Sequence, residues 1–211
     1  IVVNTDDEPA VWGRYKLGDL TVLRMGSQHQ PILEKSGDNL RIDWGYLYLA
    51  APAGSGIREV ASTRKETIAS FTETGGVPDS DDLNLMQPYA QPTPVLAYSF
   101  DLGSVDSTVV SRYVVLAYDD IFSIDYFHRH LRPYWRRNGA GASDLLHWAL
   151  RDYDLLEKRS TDFDRQLMAD LTAQGGEQYA LLCALAYRQT LAAHKLVADI
   201  DGTPLFFSKE N

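Results

Sequence analysis

The sequence predicts an α+β fold, in which an N-terminal β-sandwich is followed by a long antiparallel α-helical hairpin. Three observations support this prediction. Short apolar segments separated by turn residues fill the first 120 residues, as is typical of strands. Residues 143–174 carry apolar side chains at alternating steps of three and four, which is the period of an amphipathic helix. Residues 179–187 are almost entirely apolar, which indicates an inner helix.

The front of the chain is predicted to form short strands joined by turns. Apolar and polar residues alternate most clearly in residues 40–49, which is the period of a strand. In residues 108–118 both faces of the predicted strand are largely apolar. The last two segments are predicted to pair as antiparallel strands. The predicted extended segments are 11–15, 20–25, 40–49, 67–72, 95–100 and 108–118.

Residues 75–94 are predicted to form a long surface loop that carries Asp79, Asp81 and Asp82. Clustered carboxylates supply the oxygen ligands that calcium prefers, but the spacing matches no EF-hand and lacks its glycine. A solvated loop is therefore the favoured interpretation, with a calcium site as the alternative.

Three arginines, Arg132, Arg136 and Arg137, stand next to Tyr134 and Trp135 in the connector before the helices. Guanidinium groups in such a cluster could bind a carboxylate or a phosphate. Cationic side chains lying across aromatic faces are the alternative, and the favoured one.

No metal site or other cofactor is predicted. His128 and His130 are two residues apart, and no third ligand follows at a spacing suited to zinc. Cys183 lies within the apolar helix and is interpreted as a structural thiol, because its apolar neighbours supply no group that would activate it as a nucleophile.

The helical part is predicted to be the first unit of a larger assembly. Ser143 is a suitable N-cap, and Gly175-Gly176 separates the amphipathic helix from the apolar one. Two helices joined by so short a link form an antiparallel hairpin. Repeating that unit gives a double ring, an α/α toroid, and we expect the further pairs to follow Asn211.

The composition narrows the possible partners. The 211 residues include 20 basic and 29 acidic side chains, a formal net charge of −9, which argues against nucleic acid and anionic membranes. The apolar run is far shorter than the roughly 20 residues that span a bilayer, so no membrane span is predicted.

Six segments of the chain carry a resemblance to a known family. They are QPILEK (30–35), RIDWGY (41–46), AYSFDLG (97–103), LRPYW (131–135), AYRQ (186–189) and FSKEN (207–211). In this order they resemble the glutaminase A family, in its bacterial branch, and the similarity runs over nearly the whole chain. The resemblance implies a β-sandwich followed by a six-hairpin helical toroid. It also implies an exported hydrolase, secreted, periplasmic or at the cell surface, that releases ammonia from the small-molecule substrate glutamine.

Amide hydrolysis needs a nucleophile or activated water, a base, and donors for the oxyanion. Glu210 and Lys209 are the predicted catalytic residues, with Glu210 as a general base; a structural turn is the favoured alternative for this pair. Arg188 and Gln189 interrupt the apolar helix, and together with Asn211 they are the predicted substrate-binding residues.

We therefore expect residues 1–130 to form the β-sandwich domain, and residues 131–211 the junction and the first hairpin of a truncated toroid. The parent protein is expected to be a glutaminase-like hydrolase, and this portion alone to be inactive. Two alternatives stay open: a fragment of an α/α-toroid glycoside hydrolase, and a non-catalytic carbohydrate-binding module.

Overall fold

The structure of the chain is a computed structural model, which describes residues 9–34, 42–86 and 93–208. The chain divides into two compact units, Ile1–Ile121 and Phe122–Asn211, and has an α+β fold. The predicted division at residues 130 and 131 stays a prediction. Among the described residues, no helix has both the length and the apolar character that crossing a membrane requires.

The first unit contains a four-stranded antiparallel sheet of order β1-β2-β3-β6. Its register places Trp12 opposite Met25 and Leu23 opposite Leu49. The strands are β1 (Ala10–Leu17), β2 (Leu20–Ser27), β3 (Tyr46–Pro52) and β6 (Val115–Asp119).

A two-stranded antiparallel ribbon, β4 (Ile57–Thr63) with β5 (Pro94–Phe100), packs against this sheet. Helix α1 (Arg64–Thr74) follows β4, and a short 3-10 helix occupies Leu83–Met86. The buried residues that fill the space between sheet and ribbon are Ala10, Leu23, Met25, Leu49, Ala61, Leu85 and Leu96. The first unit is therefore a small β-sandwich.

Polar contacts join the two layers of the sandwich. The Tyr98 hydroxyl on β5 donates to the carbonyl of Thr21 on β2 at 2.6 Å. Arg14 on β1 donates to both carboxylate oxygens of Asp81, at 2.8 and 3.0 Å, while Asp81 accepts from the Ala61 backbone N–H at 2.9 Å. Asp81 thus links the edge of the sheet to the ribbon.

The second unit contains an antiparallel sheet of order β10-β9-β8-β7 and two helices. In chain order, β8 is followed by a 3-10 turn, Tyr134–Arg136, then by the two helices, and then by β9. The remaining elements are β7 (Ile124–Tyr126), β8 (Arg129–Pro133), α2 (Ala142–Arg151), α3 (Tyr153–Ala192), β9 (His194–Ala198) and β10 (Pro204–Ser208).

Helix α3 is bent back on itself at Gly176, whose backbone angles are φ 81° and ψ 177°. We name residues 153–175 the first arm and residues 177–192 the second arm. The rings of Phe163 and Tyr187, one from each arm, lie with centroids 5.8 Å apart. The predicted antiparallel hairpin is confirmed by this contact.

The apolar second arm has little cover within the described residues. Ala180 is its buried position among the parts that the structure describes. Six large apolar side chains are between 43% and 66% exposed: Tyr179, Leu181, Leu182, Leu185, Tyr187 and Leu191. The side chains of the predicted inner helix are therefore largely exposed to solvent among the described residues.

Three local predictions were wrong. Residues 67–72 are helical, because Thr63 caps α1 by accepting from the Glu66 N–H at 3.2 Å and Gly75 ends it in the left-handed region. Strand β5 pairs with β4 and strand β6 pairs with β3, so the two segments predicted to pair with each other do not. Residues 108–114, predicted to belong to the second of these strands, are exposed coil. Within the predicted strand at 40–49, the described part is extended only from Tyr46 onward.

The helical boundaries also differ from the prediction. Ser143 lies inside α2, and the N-cap is Gly141, whose N–H donates to the Asp144 carboxylate at 2.8 Å. The single amphipathic helix that the pattern predicts is two helices in the structure, because α2 ends and α3 begins at Asp152.

Candidate functional site

The predicted catalytic and substrate-binding residues lie partly outside the described chain. Lys209, Glu210 and Asn211 fall outside the described residues. Arg188 and Gln189 lie near the end of the second arm of α3, where both are exposed. Their assignment as site residues stays a prediction.

A cleft of about 270 Å³ opens in the second unit, between β8, the 3-10 turn and the β9–β10 connection. We name it the arginine cleft. Its lining residues are His130, Leu131, Arg132, Arg136, Arg137, Gly139, Ala198, Asp199 and Ile200.

Strand β8 presents two of the basic side chains to the cleft. His130 and Arg132 are exposed and alternate with the buried residues Leu131 and Pro133, as the period of two of a strand requires. Phe122 contacts both of them: its ring centroid lies 5.7 Å from that of His130 in an edge-on arrangement, and 5.1 Å from the Arg132 guanidinium. One aromatic ring thus contacts both the His130 imidazole and the Arg132 guanidinium.

The 3-10 turn presents the other two basic side chains. The Arg136 guanidinium lies 5.1 Å from the Trp135 ring, and the Arg137 guanidinium lies 4.1 Å from the Tyr134 ring. Arg137 also donates to the Tyr134 carbonyl at 2.9 Å. The favoured interpretation, cationic groups across aromatic faces, is what the structure shows, and the same arginines line a cleft.

The one acidic lining residue, Asp199, is engaged by neighbours. Its Oδ1 accepts from Arg129 and from the Ile200 backbone N–H, both at 2.7 Å. The other charged side chains that line the cleft, as the structure describes it, are Arg132, Arg136 and Arg137. The cleft can therefore attract an anion, although the chain as a whole is acidic.

The β9–β10 connection completes one wall of the cleft. Asp199 and Thr203 are joined by a backbone hydrogen bond of 2.9 Å, and the Gly202 N–H returns to the Asp199 carbonyl at 2.9 Å. The Thr203 N–H lowers the pKa of the exposed Asp201 carboxyl by bonding to it at 2.9 Å. This tight turn projects Ile200, which is 82% exposed, at the mouth of the cleft.

Sequence reasoning found the arginines but missed this wall. The sequence analysis set no end for the apolar helix and predicted no strand directly after it, whereas α3 ends at Ala192 and β9 begins at His194. The available signal was Asp201-Gly202, a pair typical of a tight turn between strands.

The described residues hold no group of three or more His, Cys, Asp or Glu side chains placed to bind a metal ion. In the loop considered for calcium, Asp79 pairs with Arg58 and Asp81 pairs with Arg14. These carboxylates serve as ion-pair partners within the sandwich unit.

Comparisons with known proteins place the chain among its relatives. A family model described as "Domain of unknown function (DUF5127)" matches residues 1–170. Glutaminase A of Aspergillus oryzae is 26% identical over 174 residues, which cover 80% of this chain and 25% of that protein. A probable glutaminase of Arthroderma benhamiae is 25% identical over 185 residues, 81% of this chain and 21% of that protein. The chain thus spans about a quarter of the length of these curated relatives. No solved structure matches it at comparable significance.

Proposed function

The chain belongs to the DUF5127 family of domains of unknown function, and on that premise we propose that it is the N-terminal portion of a glutaminase-like hydrolase that converts L-glutamine to L-glutamate and ammonia. The observation that carries the proposal is the similarity to Glutaminase A over 80% of this chain. The reaction is a hydrolysis of a side-chain amide, in which water ends on the carbonyl carbon and ammonia leaves.

Within that protein the β-sandwich has a supporting role, and catalysis requires a helical toroid that these 211 residues do not contain. The exposed apolar second arm of α3 supports this part of the proposal, because contiguous apolar surface of this kind marks an interface. The further hairpins of the toroid would cover it.

Glu210 acts as the general base and Lys209 stabilises the developing negative charge. Arg188, Gln189 and Asn211 bind the substrate. Arg188 and Gln189 are both exposed near the carboxyl end of the second arm, which supports this role. A general base must come within hydrogen-bond reach of the attacking water, a geometry that the complete toroid would supply.

The proposed setting is outside the cytoplasm, with the protein secreted, periplasmic or at the cell surface of a bacterium. No cofactor takes part in the proposed reaction.

Ammonia release by the complete protein, incubated with L-glutamine, tests the proposal. We expect turnover by the complete protein, none by residues 1–211 alone, and a loss of at least about 100-fold in kcat for Glu210→Gln, since a general base contributes about 10²–10⁴-fold. Glu157→Gln, at an exposed position of α3, is the matched control and should keep full activity.

The same preparations should be incubated with a panel of glycans. Sugar release without ammonia release would overturn the proposal in favour of a glycoside hydrolase. Full glutaminase turnover by residues 1–211 would overturn the assignment of catalysis to the toroid.

A further inference from the structure

We propose that the arginine cleft is a binding site for a small carboxylate that carries an aliphatic body. The inference stands on the lining of the cleft and goes beyond the proposed hydrolase activity, to which none of the cleft residues has been assigned.

The donors of the cleft are suited to a planar anion. Arg132, Arg136 and Arg137 each hold the guanidinium 4.1–5.1 Å from an aromatic centroid, which restricts the side chain before any ligand arrives. A guanidinium has five N–H donors, so the bond from Arg137 to the Tyr134 carbonyl leaves others for a ligand. Two parallel N–H···O bonds from such a fork match the geometry of a carboxylate.

The charge of the cleft favours one negative group. Four basic side chains line it, and the carboxylate of Asp199 is already bonded to Arg129 at 2.7 Å. The acidic residue of the lining is thus already engaged, and an anion that enters meets the guanidinium donors of Arg132 and Arg137. Arg132 and Arg137 are both exposed, which leaves an open route from solvent.

The apolar part of the lining distinguishes a carboxylate from inorganic phosphate. Ala198 lies in the wall beside Arg132, its partner in the sheet, and Ile200 stands exposed at the mouth. Apolar surface contributes nothing to a phosphate ion, whereas it can pack against the methylene groups of an organic acid. The volume of about 270 Å³ lies just below the range of roughly 300–1,000 Å³ typical of drug-sized ligands. The ligand class is therefore a metabolite of amino-acid size or a single C-terminal residue; L-glutamine is one member of that class.

Isothermal titration of the 211-residue chain with N-acetyl-L-glutamine, its neutral α-carboxamide and inorganic phosphate tests the proposal. These probes differ in the carboxylate and in the aliphatic body. We expect N-acetyl-L-glutamine to bind at least about tenfold more tightly than either of the others, since it alone combines a carboxylate that accepts charge-assisted hydrogen bonds with an aliphatic body. Equal affinity for the acid and its carboxamide, tighter binding of phosphate, or no binding of any probe would overturn it.

Arg132→Gln and Arg137→Gln should each weaken the binding of N-acetyl-L-glutamine about tenfold. Arg165→Gln, which removes a positive charge from the exposed face of α3, is the matched control and should bind as the unchanged chain does. Arg136→Lys keeps the charge and the aliphatic stem while removing the fork, so it separates bidentate recognition from simple attraction.

Trp135 provides a second readout, because the Arg136 guanidinium lies over its ring. A saturable change in tryptophan fluorescence should follow the same affinity as the heat signal. Binding unchanged in Arg132→Gln, Arg137→Gln and Arg136→Lys alike, with circular dichroism showing folded variants, would place the ligand elsewhere. Because these are binding measurements, they succeed or fail independently of ammonia release by the complete protein.

Discussion

The rings of Phe163 and Tyr187 lie 5.8 Å apart, although the two residues stand on opposite sides of Gly176 within one helical segment. In an unbroken helix, the rise of about 1.5 Å per residue would separate them by more than ~30 Å. The contact therefore establishes that the two arms run antiparallel, and it places the reversal at Gly176.

Replacing Gly176 with alanine should destabilise the hairpin. Its φ of 81° and ψ of 177° fall in a region that is essentially restricted to glycine, so a Cβ would cost on the order of 1–3 kcal/mol. The measurement is urea unfolding followed by circular dichroism at 222 nm. Gln174→Ala, an exposed change two residues earlier in the first arm, is the control and should leave the midpoint unchanged or slightly raised. An unchanged midpoint for Gly176→Ala would show that the chain reverses elsewhere.

The sequence was sufficient to predict this hairpin because the signal is local. Two consecutive glycines separate an amphipathic pattern from an apolar one, and the turn needs little from the rest of the fold. Helix α1 shows the opposite case. Thr67, Ile68 and Thr72 favour a strand, yet the Thr63 cap and Gly75 determine a helix, a capping signal that outweighs side-chain preference.

The arginine cleft was predictable in part for a similar reason. Arg136 and Arg137 lie within three residues of their aromatic partners Trp135 and Tyr134, so their stacking is a local property. Asp199 and Ile200 reach the cleft only because β9 pairs with β8, more than sixty residues earlier in the chain. Such pairing depends on tertiary packing, which composition and periodicity do not specify.

Replacing Gly45 with alanine should destabilise the sandwich severely. Gly45 has a φ of +91°, and a Cβ there would lie 2.3 Å from the Asp119 carbonyl oxygen and 3.0 Å from the Asp120 Cα. Both are backbone atoms, so the added Cβ can be accommodated only if the chain moves. The positive φ adds backbone strain of about 1–3 kcal/mol to that clash. Thermal unfolding measures the effect.

Gly13→Ala is the matched control for that change. Gly13 lies in β1, where an added Cβ would meet no atom within 4 Å, so its replacement should be neutral or mildly stabilising. Similar melting temperatures for the two variants would contradict the close approach of Gly45 to the Asp119–Asp120 backbone.

Asp81 and Asp79 should differ sharply when each is replaced with alanine. Asp81→Ala removes acceptors from Arg14 and from the Ala61 N–H, and we expect a loss of about 1–3 kcal/mol in the free energy of unfolding. The Asp79 side chain is 94% exposed in its pair with Arg58, so Asp79→Ala should cost less than about 1 kcal/mol. Urea titration of both variants gives the comparison.

Addition of calcium is a second test of the role of these two carboxylates. If Asp79 and Asp81 act as ion-pair partners, millimolar calcium should leave the melting temperature of the unchanged chain where it is, and a chelator should have no effect. A rise in melting temperature with calcium that Asp81→Ala abolishes would restore the metal interpretation, because a ligand that binds the folded state stabilises it.

Three tyrosine hydroxyls in the sandwich are held in their neutral form. Burial, more than any other factor, raises the pKa of Tyr48, of Tyr98 and of Tyr118. The Tyr118 hydroxyl donates to the Trp44 carbonyl. Three nearby carboxylates add to the effect of burial, and the pKa of Tyr118 rises to about 12; they are Asp120, Asp43 and Asp119.

In the Tyr118→Phe variant, the free energy of unfolding should therefore fall less steeply as pH rises above 10. The folded-state pKa of about 12 stands above the ordinary tyrosine pKa of 10.0 expected in the unfolded chain, so the folded state binds this proton more tightly. The stabilisation is complete below pH 10 and is lost as pH rises through about 12. Urea unfolding at pH 9, 10 and 11 should show a shallower decline for the variant than for the unchanged chain. The raised pKa values of Tyr48 and Tyr98 persist in the variant, so the decline should be reduced and not abolished. An identical decline in both chains would mean that the Tyr118 hydroxyl ionises equally easily in the folded and unfolded states.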